Sequence, residues 1–212
     1  MIGFNQIDCN HSIYIYQCSN ARIIMPIHVD DLLITSNSKS ELAAVKSELA
    51  ANFKIHNQGP TKSILSIKIE QDWLARSISL SQPGYIESIL EQFSMMECNP
   101  VPIPMDPGQK LSTKMSPDTL EGRSAMSKYP YRELIGKLLY LAIATRPDIA
   151  YVISVLCCFI ENPGMDHWNT AKQVLQYLKG TIKMWLVYSQ QTAPDLFTTY
   201  SNADLSGNLD NS

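Results

Sequence analysis

The sequence predicts an α+β fold, in which an antiparallel sheet with helices is followed by a mainly helical segment and a short terminal β segment. Two observations predict it. Residues 1–36 are rich in β-branched and aromatic residues in short runs. Between residues 131 and 180, apolar residues recur at helical spacing in three successive segments. With 45% hydrophobic and 17% charged residues among 212, the chain has enough apolar side chains to form a folded core.

Three strands and one helix are predicted in the first quarter of the chain. The strands read SIYIYQC, ARIIMPIHV and LLITS. The polar turns between them are Cys18 to Asn20 and Asp30 to Asp31. Ser38 followed three residues later by Glu41 is a capping-box pattern. Because apolar residues then fall on one helical face, residues 39–51 are predicted to form an amphipathic helix.

The rest of the chain is predicted to contain two strands and a helix, then a proline-rich linker, and then a second group of helices and strands. After a strand and a turn at 57–60, two further strands are predicted, ILSIKIE and RSISLS, and then a helix over 83–93. Five prolines between residues 100 and 117 exclude a continuous helix, so a Pro-rich linker is predicted over 99–127. Three helical patterns follow: YRELIGKLLYLAIA, PDIAYVISVLCCFIE and DHWNTAKQVLQYLKG. The predicted strands WLVYS and LFTTYS end the chain.

Composition excludes several classes of protein. The five cysteines form no C-x-x-C pair and have no histidines at zinc spacing, so neither a disulfide framework nor a structural zinc site is indicated. The N-terminus lacks the basic start and apolar core of a secretory signal. The longest apolar stretch, 138–160, is interrupted by Arg146, Pro147 and Asp148, which leaves halves too short to span a membrane. We therefore expect an intracellular protein, cytoplasmic or nuclear, with no membrane partner.

The charge distribution leaves two interpretations open. The net charge of −3 disfavours nucleic acid as a partner, because phosphate binding depends on Lys and Arg. Residues 128–190, however, hold seven basic against four acidic residues, a local charge of +3. Lys172, Lys179 and Lys183 either line a nucleic-acid channel or form an ordinary solvated face.

Asp30 and Asp31 are the most unusual residues, since they interrupt an apolar strand pattern in MPIHVDDLLITS. One interpretation is a surface turn, because Asp hydrogen-bonds its own backbone, although the Gly that usually accompanies it is absent. The other is a metal site. Two adjacent carboxylates repel each other unless a cation offsets them, and their oxygens suit Mg²⁺ bound together with phosphates.

The segment IHVDDLLITS resembles the catalytic hairpin of reverse transcriptases, in which Tyr-x-Asp-Asp is flanked by apolar strand residues. Four further segments resemble, in the same order, parts of the copia-type LTR retrotransposon Pol polyprotein. They are SLSQPGYIESILEQFSMMECNPVPIPM, YRELIGKLLYLAIATRPDIAYVISVL, HWNTAKQVLQYLKGT and YSNADLSGNLD. The resemblance therefore covers nearly the whole chain.

The resemblance implies a partial polymerase palm and the start of the thumb over 1–98, the linker over 99–127, a helical connection segment over 128–182, and a truncated start of a ribonuclease H domain over 183–212. It implies an RNA-directed DNA polymerase that uses two Mg²⁺ ions, or Mn²⁺, for nucleotidyl transfer. Asp30 matches the carboxylate that holds the metals most directly, and Asp31 matches its neighbour. The implied partners are an RNA or DNA template-primer and the N-terminal polymerase segment.

The chain departs from the family pattern at several positions. His28 stands where the family has Tyr. Ser66 stands where the family's similar segment has Gly, and that Gly indicates a close approach of the backbone at this position. The family's first catalytic Asp lies on an earlier strand, whereas the only acid before Asp30 in this chain is Asp8. The fingers are also expected upstream. Asn202 replaces the first metal-binding Asp of the ribonuclease H block, and Asp204 matches its second acid.

Two hypotheses of different classes follow. In the first, the chain is a fragment of a copia-type reverse transcriptase, catalytically inactive alone because the upstream Asp and fingers are missing and ribonuclease H is truncated. In the second, it is a non-catalytic nucleic-acid-binding or protein-interaction module retained from the element.

Overall fold

A computed structural model describes residues 3–18 and 21–190, and the chain divides into two compact units. Unit 1 ends at Thr61 and unit 2 begins at Lys62. The predicted strand LFTTYS, Asn202 and Asp204 lie outside the described residues. The α+β fold class is confirmed, since both units contain antiparallel strands and the described chain has six α-helices. No helix in residues 3–18 and 21–190 is long and apolar enough to cross a membrane.

Unit 1 is an antiparallel sheet with one helix. Its elements are β1 (Asn5–Ile7), β2 (Asn10–Cys18), β3 (Ala21–His28), β4 (Asp31–Leu32), β5 (Thr35–Ser36) and α1 (Lys39–Asn52). The order of the strands is β1-β2-β3-β4, and β5 also pairs with β3. The central strand β3 alternates buried and more exposed residues, as expected for a sheet with one face packed on a helix.

The core of unit 1 lies between that sheet face and α1. Its buried side chains are Ile23, Met25, Val45 and Leu49. The predicted cap is confirmed, because the Ser38 side chain accepts a hydrogen bond from the Glu41 amide (3.4 Å). The predicted helix is also confirmed and ends one residue later, at Asn52.

The predicted single strand LLITS is wrong, because the structure divides it into β4 and β5. Both short strands keep one register against β3: Leu32 lies opposite Ile27, and Thr35 lies opposite Ile24. Between them, Leu33 faces Pro26 and donates its amide to the Pro26 carbonyl (3.1 Å). In a regular antiparallel pair the amide of residue 26 would also donate to the Leu33 carbonyl. Proline has no amide hydrogen, so this second hydrogen bond is missing and the ladder is interrupted there.

Unit 2 combines a small sheet with a helical body. Its strands are β6 (Ser63–Ile64), β7 (Ile67–Asp72), β8 (Ser77–Ser81) and β9 (Leu186–Ser189). Its helices are α2 (Pro83–Gln92), α3 (Leu120–Met126), α4 (Tyr131–Ala144), α5 (Ala150–Cys157) and α6 (Met165–Gly180), with 3₁₀ turns at Thr113–Met115 and Pro147–Ile149. The sheet order is β6-β7-β8-β9, so the last described strand pairs with a strand about a hundred residues earlier in the sequence.

The sequence-based boundaries in unit 2 hold for α2, α4 and α6 within a few residues. The pattern PDIAYVISVLCCFIE forms a 3₁₀ turn and the shorter helix α5. Residues 53–62 contain no strand, although one was predicted before the turn at 57–60. The Pro-rich segment contributes α3 and places Leu111 and Met126 in the core.

The core of unit 2 is formed by the facing sides of α2, α4, α5 and α6. Its fully buried side chains include Ile89, Leu134, Leu138, Ile153 and Leu175. Two family-like segments meet inside it, because the Thr145 hydroxyl donates to Gln82 Oε1 (2.8 Å). This bond joins the residue before α2 to the residue after α4.

Candidate functional site

The turn between β3 and β4 carries the two adjacent aspartates. His28 lies opposite Asp31 in the register of the two strands, which leaves Val29 and Asp30 as the two-residue turn. The prediction of Asp30 to Asp31 as the turn is therefore wrong by one residue. Asp30 lies in the turn, and Asp31 is the first residue of β4.

Val29 explains why the turn begins earlier than expected. Its φ is +55°, whereas Asp30 has a negative φ, a combination typical of a type II′ hairpin turn. Glycine is preferred at that first position, and a β-branched residue with positive φ is a genuine outlier. The Val29 side chain is 88% exposed. No packing of the side chain offsets the backbone strain, which is of the order of 1–3 kcal/mol.

Both carboxylates are accessible from solvent and lie next to each other in the sequence. Asp30 and Asp31 are exposed, and neither is in an ion pair with a described residue. His28 and Asp31 are cross-strand neighbours, so their side chains lie on the same face of the sheet. Carboxylate oxygens are the ligands that Mg²⁺ prefers, and no Lys or Arg in the described part of the chain forms an ion pair with these two.

Asp8 is not brought into this site. It lies in the two-residue turn between β1 and β2, where Ile7 lies opposite Asn10. That turn is at the same end of the sheet, because the start of β2 lies beside the end of β3. Two strands nevertheless separate β1 from β4. Within residues 3–18 and 21–190, no group of three His, Cys, Asp or Glu side chains is placed to hold a metal ion.

Ser66 lies in a second unusual turn, between β6 and β7. Ile64 lies opposite Ile67, so Leu65 and Ser66 form a two-residue turn, with φ of +51° and +60°. Positive φ at both positions is typical of a type I′ turn, which favours Asn-Gly. The backbone conformation therefore accounts for the family's Gly here. The Tyr140 hydroxyl donates to the Leu65 carbonyl (2.5 Å) and anchors this turn to α4.

The lysines in and after α6 differ in their contacts. The Lys179 ammonium group donates to the carbonyl oxygens of Met96 and Cys98, the latter at 2.9 Å, and so holds the chain after α2. Lys183 is exposed, and Lys172 is half-buried. The nucleic-acid channel and the solvated face both stay predictions for these lysines. Trp168, near the start of α6, is only 7% exposed and packs in the core.

Arg146, at the corner between α4 and α5, combines a local ion pair with contacts to residues distant in the sequence. Arg146 is 3% exposed and forms an ion pair with Asp148 (2.7 Å). The guanidinium group also donates to the Thr181 carbonyl (3.2 Å) and hydroxyl (2.6 Å). The Tyr177 hydroxyl donates to the same Asp148 carboxylate (2.8 Å). These long-range partners had no signal in the local sequence pattern.

Comparisons with known proteins identify relatives of this chain. A family model described as "Reverse transcriptase (RNA-dependent DNA polymerase)" matches residues 1–107. The "Retrovirus-related Pol polyprotein from transposon TNT 1-94" of Nicotiana tabacum is 39% identical over 192 residues, 91% of this chain and 14% of the relative. The corresponding polyprotein from transposon RE2 of Arabidopsis thaliana is 32% identical over 213 residues, 99% of this chain and 14% of the relative.

A shorter relative covers part of the chain. An uncharacterised mitochondrial protein of Arabidopsis thaliana is 32% identical over 158 residues, 74% of this chain and 61% of the relative. No solved structure matches the chain significantly. The chain spans about one seventh of the length of the two Pol polyproteins, at 14% of each. The family match covers half of the chain, and the polyprotein matches cover nearly all of it. The chain therefore belongs to the reverse transcriptase (RNA-dependent DNA polymerase) family, within the Pol polyproteins of copia-type retrotransposons.

Proposed function

We propose that the β3–β4 turn supplies two of the metal-binding carboxylates of an RNA-directed DNA polymerase. The observation that carries the proposal is the geometry of Asp30 and Asp31, which are exposed, adjacent, and without an ion-pair partner among the described residues. The family implies that the substrates are nucleotides and a template-primer. Asp30, at the tip of the turn, binds the metal most directly, and Asp31 borders the site.

The donor set fits Mg²⁺, with Mn²⁺ as a substitute, because carboxylate oxygens are the ligands that these cations prefer. Asp30 and Asp31 would help to hold a pair of such cations, whose chemistry would be to activate the primer hydroxyl and to offset the charge on the leaving pyrophosphate. The residues of the chain hold and orient this arrangement. The β3 side chains Ile23 and Met25, buried against α1, fix the strand that leads into the turn.

The 212-residue chain contains only part of the catalytic group. Its family requires a further carboxylate from an earlier palm strand, and Asp8 is separated from the turn by two strands of the sheet. We therefore propose that residues 1–212 alone do not extend a primer. Polymerase activity requires a preceding polymerase segment, either in the same chain or from another chain.

The test is primer extension on an RNA template with Mg²⁺, using two proteins. One is the chain alone. The other is a chimera in which the segment that precedes the matched region of the tobacco TNT 1-94 polyprotein is joined to residues 1–212. We expect extension by the chimera only, and we expect Asp30→Asn to abolish it. The matched control is Glu87→Gln, which neutralises an exposed acid on α2 and should leave extension unchanged.

Two results contradict parts of the proposal separately. Extension by the 212-residue chain that is lost on Asp30→Asn contradicts the need for an upstream segment. Undiminished extension by the Asp30→Asn chimera contradicts the assignment of the metal site. Mn²⁺-induced broadening of backbone amide signals gives an independent readout, because it should be centred on residues 28–32 and be reduced by Asp30→Asn.

A further inference from the structure

The hairpin of β7 and β8 carries two exposed apolar side chains at its tip. Asp72 lies opposite Ser77, which leaves residues 73–76 as a four-residue loop. Trp73 is 80% exposed and Leu74 is 99% exposed. Because tryptophan is on average one of the more buried residues of folded proteins, its exposure at a loop tip indicates a surface that contacts something else.

Hydrogen bonds hold this loop in one conformation. The Asp72 carboxylate accepts from the amides of Leu74 and Ala75, both at 2.9 Å. Arg76 has a φ of +49°, and its carbonyl accepts from the Gln190 amide (3.1 Å). The Arg76 guanidinium group also donates to the side-chain oxygen of Gln190 (2.6 Å). A loop that is already ordered loses little conformational freedom on binding, which favours contact at its tip.

The apolar surface continues onto the neighbouring strands. Ile78 and Tyr188 lie opposite each other in the register of β8 and β9, so their side chains share one face of the sheet. They are 41% and 59% exposed. Single exposed apolar residues are ordinary, but a group of them at the same end of one sheet marks an interaction site. We call Trp73, Leu74, Ile78 and Tyr188 the hairpin surface.

The chain leaves the described structure beside the hairpin surface. Gln190 is the last residue that the structure describes, and its two hydrogen bonds place it next to Arg76. Trp73 is only three residues from Arg76 in the same loop. The segment 191–212, which lies outside the described residues, therefore begins within a few residues of this surface.

The composition of residues 191–212 matches the hairpin surface. Leu196, Phe197 and Tyr200 form an apolar group that starts six residues after the last described one. Six residues span up to about 20 Å, enough to reach back to the loop tip. The segment holds three Asp and no Lys or Arg. Arg76, beside the surface, is exposed and is not in an ion pair with a described residue.

We propose that the hairpin surface binds residues 191–212 of the same chain, with Leu196 and Phe197 packed against Trp73 and Leu74. The favoured occupant is this segment rather than a second copy of the chain, because a short tether gives an effective concentration in the millimolar range. The contact holds the C-terminal part of the chain against the sheet of unit 2. It does not depend on the polymerase chemistry proposed for the β3–β4 turn.

The experiment is limited digestion of the full chain with chymotrypsin, with cleavage after Phe197 followed by mass spectrometry. A bound segment is cleaved only when it detaches, so the cleavage rate reports the detached fraction. We expect Trp73→Ser and Leu74→Ser each to raise this rate roughly 10- to 100-fold, the range for loss of one buried large apolar side chain. Trp73→Phe keeps an aromatic ring and should stay close to the original chain.

Two controls separate this effect from a general loss of structure. Leu120→Ser removes a leucine that is equally accessible but lies on α3, outside the hairpin surface, and should leave cleavage after Phe197 unchanged. Cleavage after Phe53, an exposed residue at the end of α1, serves as an internal reference and should be the same in every variant.

The reciprocal substitution gives a second readout. Phe197→Ser should uncover Trp73 and increase its quenching by acrylamide. A Trp185→Phe background isolates the signal, because Trp168 is buried in the core. Ser206→Ala, a polar position in the same segment, should leave the quenching unchanged.

Two results overturn the proposal, and neither affects the assignment of Asp30 and Asp31. Cleavage after Phe197 at the same rate in the original chain, Trp73→Ser and Leu74→Ser would show that the segment does not bind this surface. Protection of Phe197 that rises with chain concentration, together with a dimer in sedimentation that Trp73→Ser abolishes, would assign the surface to a second copy of the chain.

Discussion

Two acidic sites in this chain, each next to an apolar segment, differ in how their charges are compensated. At the β3–β4 turn, Asp30 and Asp31 are exposed and have no ion-pair partner among the described residues. At the corner between α4 and α5, Asp148 is bound by Arg146 and Tyr177. The comparison separates carboxylates that stabilise the fold from carboxylates that remain available to a ligand.

The difference also appears in the acidity of the groups. Burial on its own raises the pKa of Asp148, but hydrogen bonds from Arg146 and Tyr177, together with the Arg146 charge, outweigh it and lower the pKa below its ordinary value. The lowered pKa means that folding favours the ionised form of Asp148, so this carboxylate contributes to the stability of unit 2.

The largest expected effect breaks the compensated site. Arg146→Met leaves Asp148 without its ion pair and removes the contacts to Thr181, so we expect unit 2 to lose about 3–5 kcal/mol of unfolding free energy. Urea denaturation followed by circular dichroism measures the loss. The control is Glu70→Gln, which breaks the exposed Lys68–Glu70 pair (2.8 Å) and should cost less than about 1 kcal/mol. Equal losses in the two variants would contradict the comparison.

A smaller effect concerns pH. The folded-state pKa of Asp148 is lower than its unfolded value, so its stabilising contribution is complete above about pH 4 and is lost as the pH falls through the folded-state pKa. We expect the stability advantage of the original chain over Asp148→Asn to shrink on acidification below about pH 4. Thermal melting across that range measures the advantage. A constant difference at all pH values would show that Asp148 stabilises by shape rather than by charge.

A third effect concerns the strained turn between β6 and β7. Ser66→Gly removes the cost of a side chain at φ +60°, and we expect it to stabilise unit 2 by up to about 1 kcal/mol. The same substitution at Ser79, in the interior strand β8, should destabilise by roughly 0.5–1 kcal/mol. Melting temperatures of the two variants test this. Changes of the same sign would argue against a conformational origin.

The smallest effect is expected at the uncompensated site. Asp30→Asn and Asp31→Asn remove exposed charges that no described side chain pairs with, so each should change the unfolding free energy by no more than about 0.5 kcal/mol. Denaturant titration without added metal measures it. A loss comparable to that of Arg146→Met would mean that the aspartates support the fold, which would remove the distinction between the two sites.

Sequence reasoning succeeded where the signal is local. The Ser38 cap depends on residues three positions apart, and the helix after it depends on apolar residues that recur at helical spacing. Asp30 and Asp31 stand out in the sequence because their position in an apolar run is unusual and the flanking residues resemble one family; their role as site residues stays a prediction.

Other features depended on information that local patterns do not carry. The turn begins one residue earlier than predicted because Val29 adopts a positive φ. A β-branched side chain disfavours this conformation, so the local sequence does not predict it. The pairing of β3 with β4 places Val29 in the turn. Tyr177 and Thr181 reach the α4–α5 corner from about thirty positions away.

Pro26 also affects the dynamics of the β3–β4 turn. Because the ladder is interrupted at Leu33, β4 pairs with β3 over only two residue pairs, whereas β2 pairs with β3 over six. Short ladders open locally without unfolding the sheet. We therefore expect the Leu33 amide, which donates to the Pro26 carbonyl, to exchange with deuterium by local opening, much faster than amides in the β2–β3 ladder. Local opening of β4 moves the Asp31 carboxylate while the β2–β3 ladder stays closed.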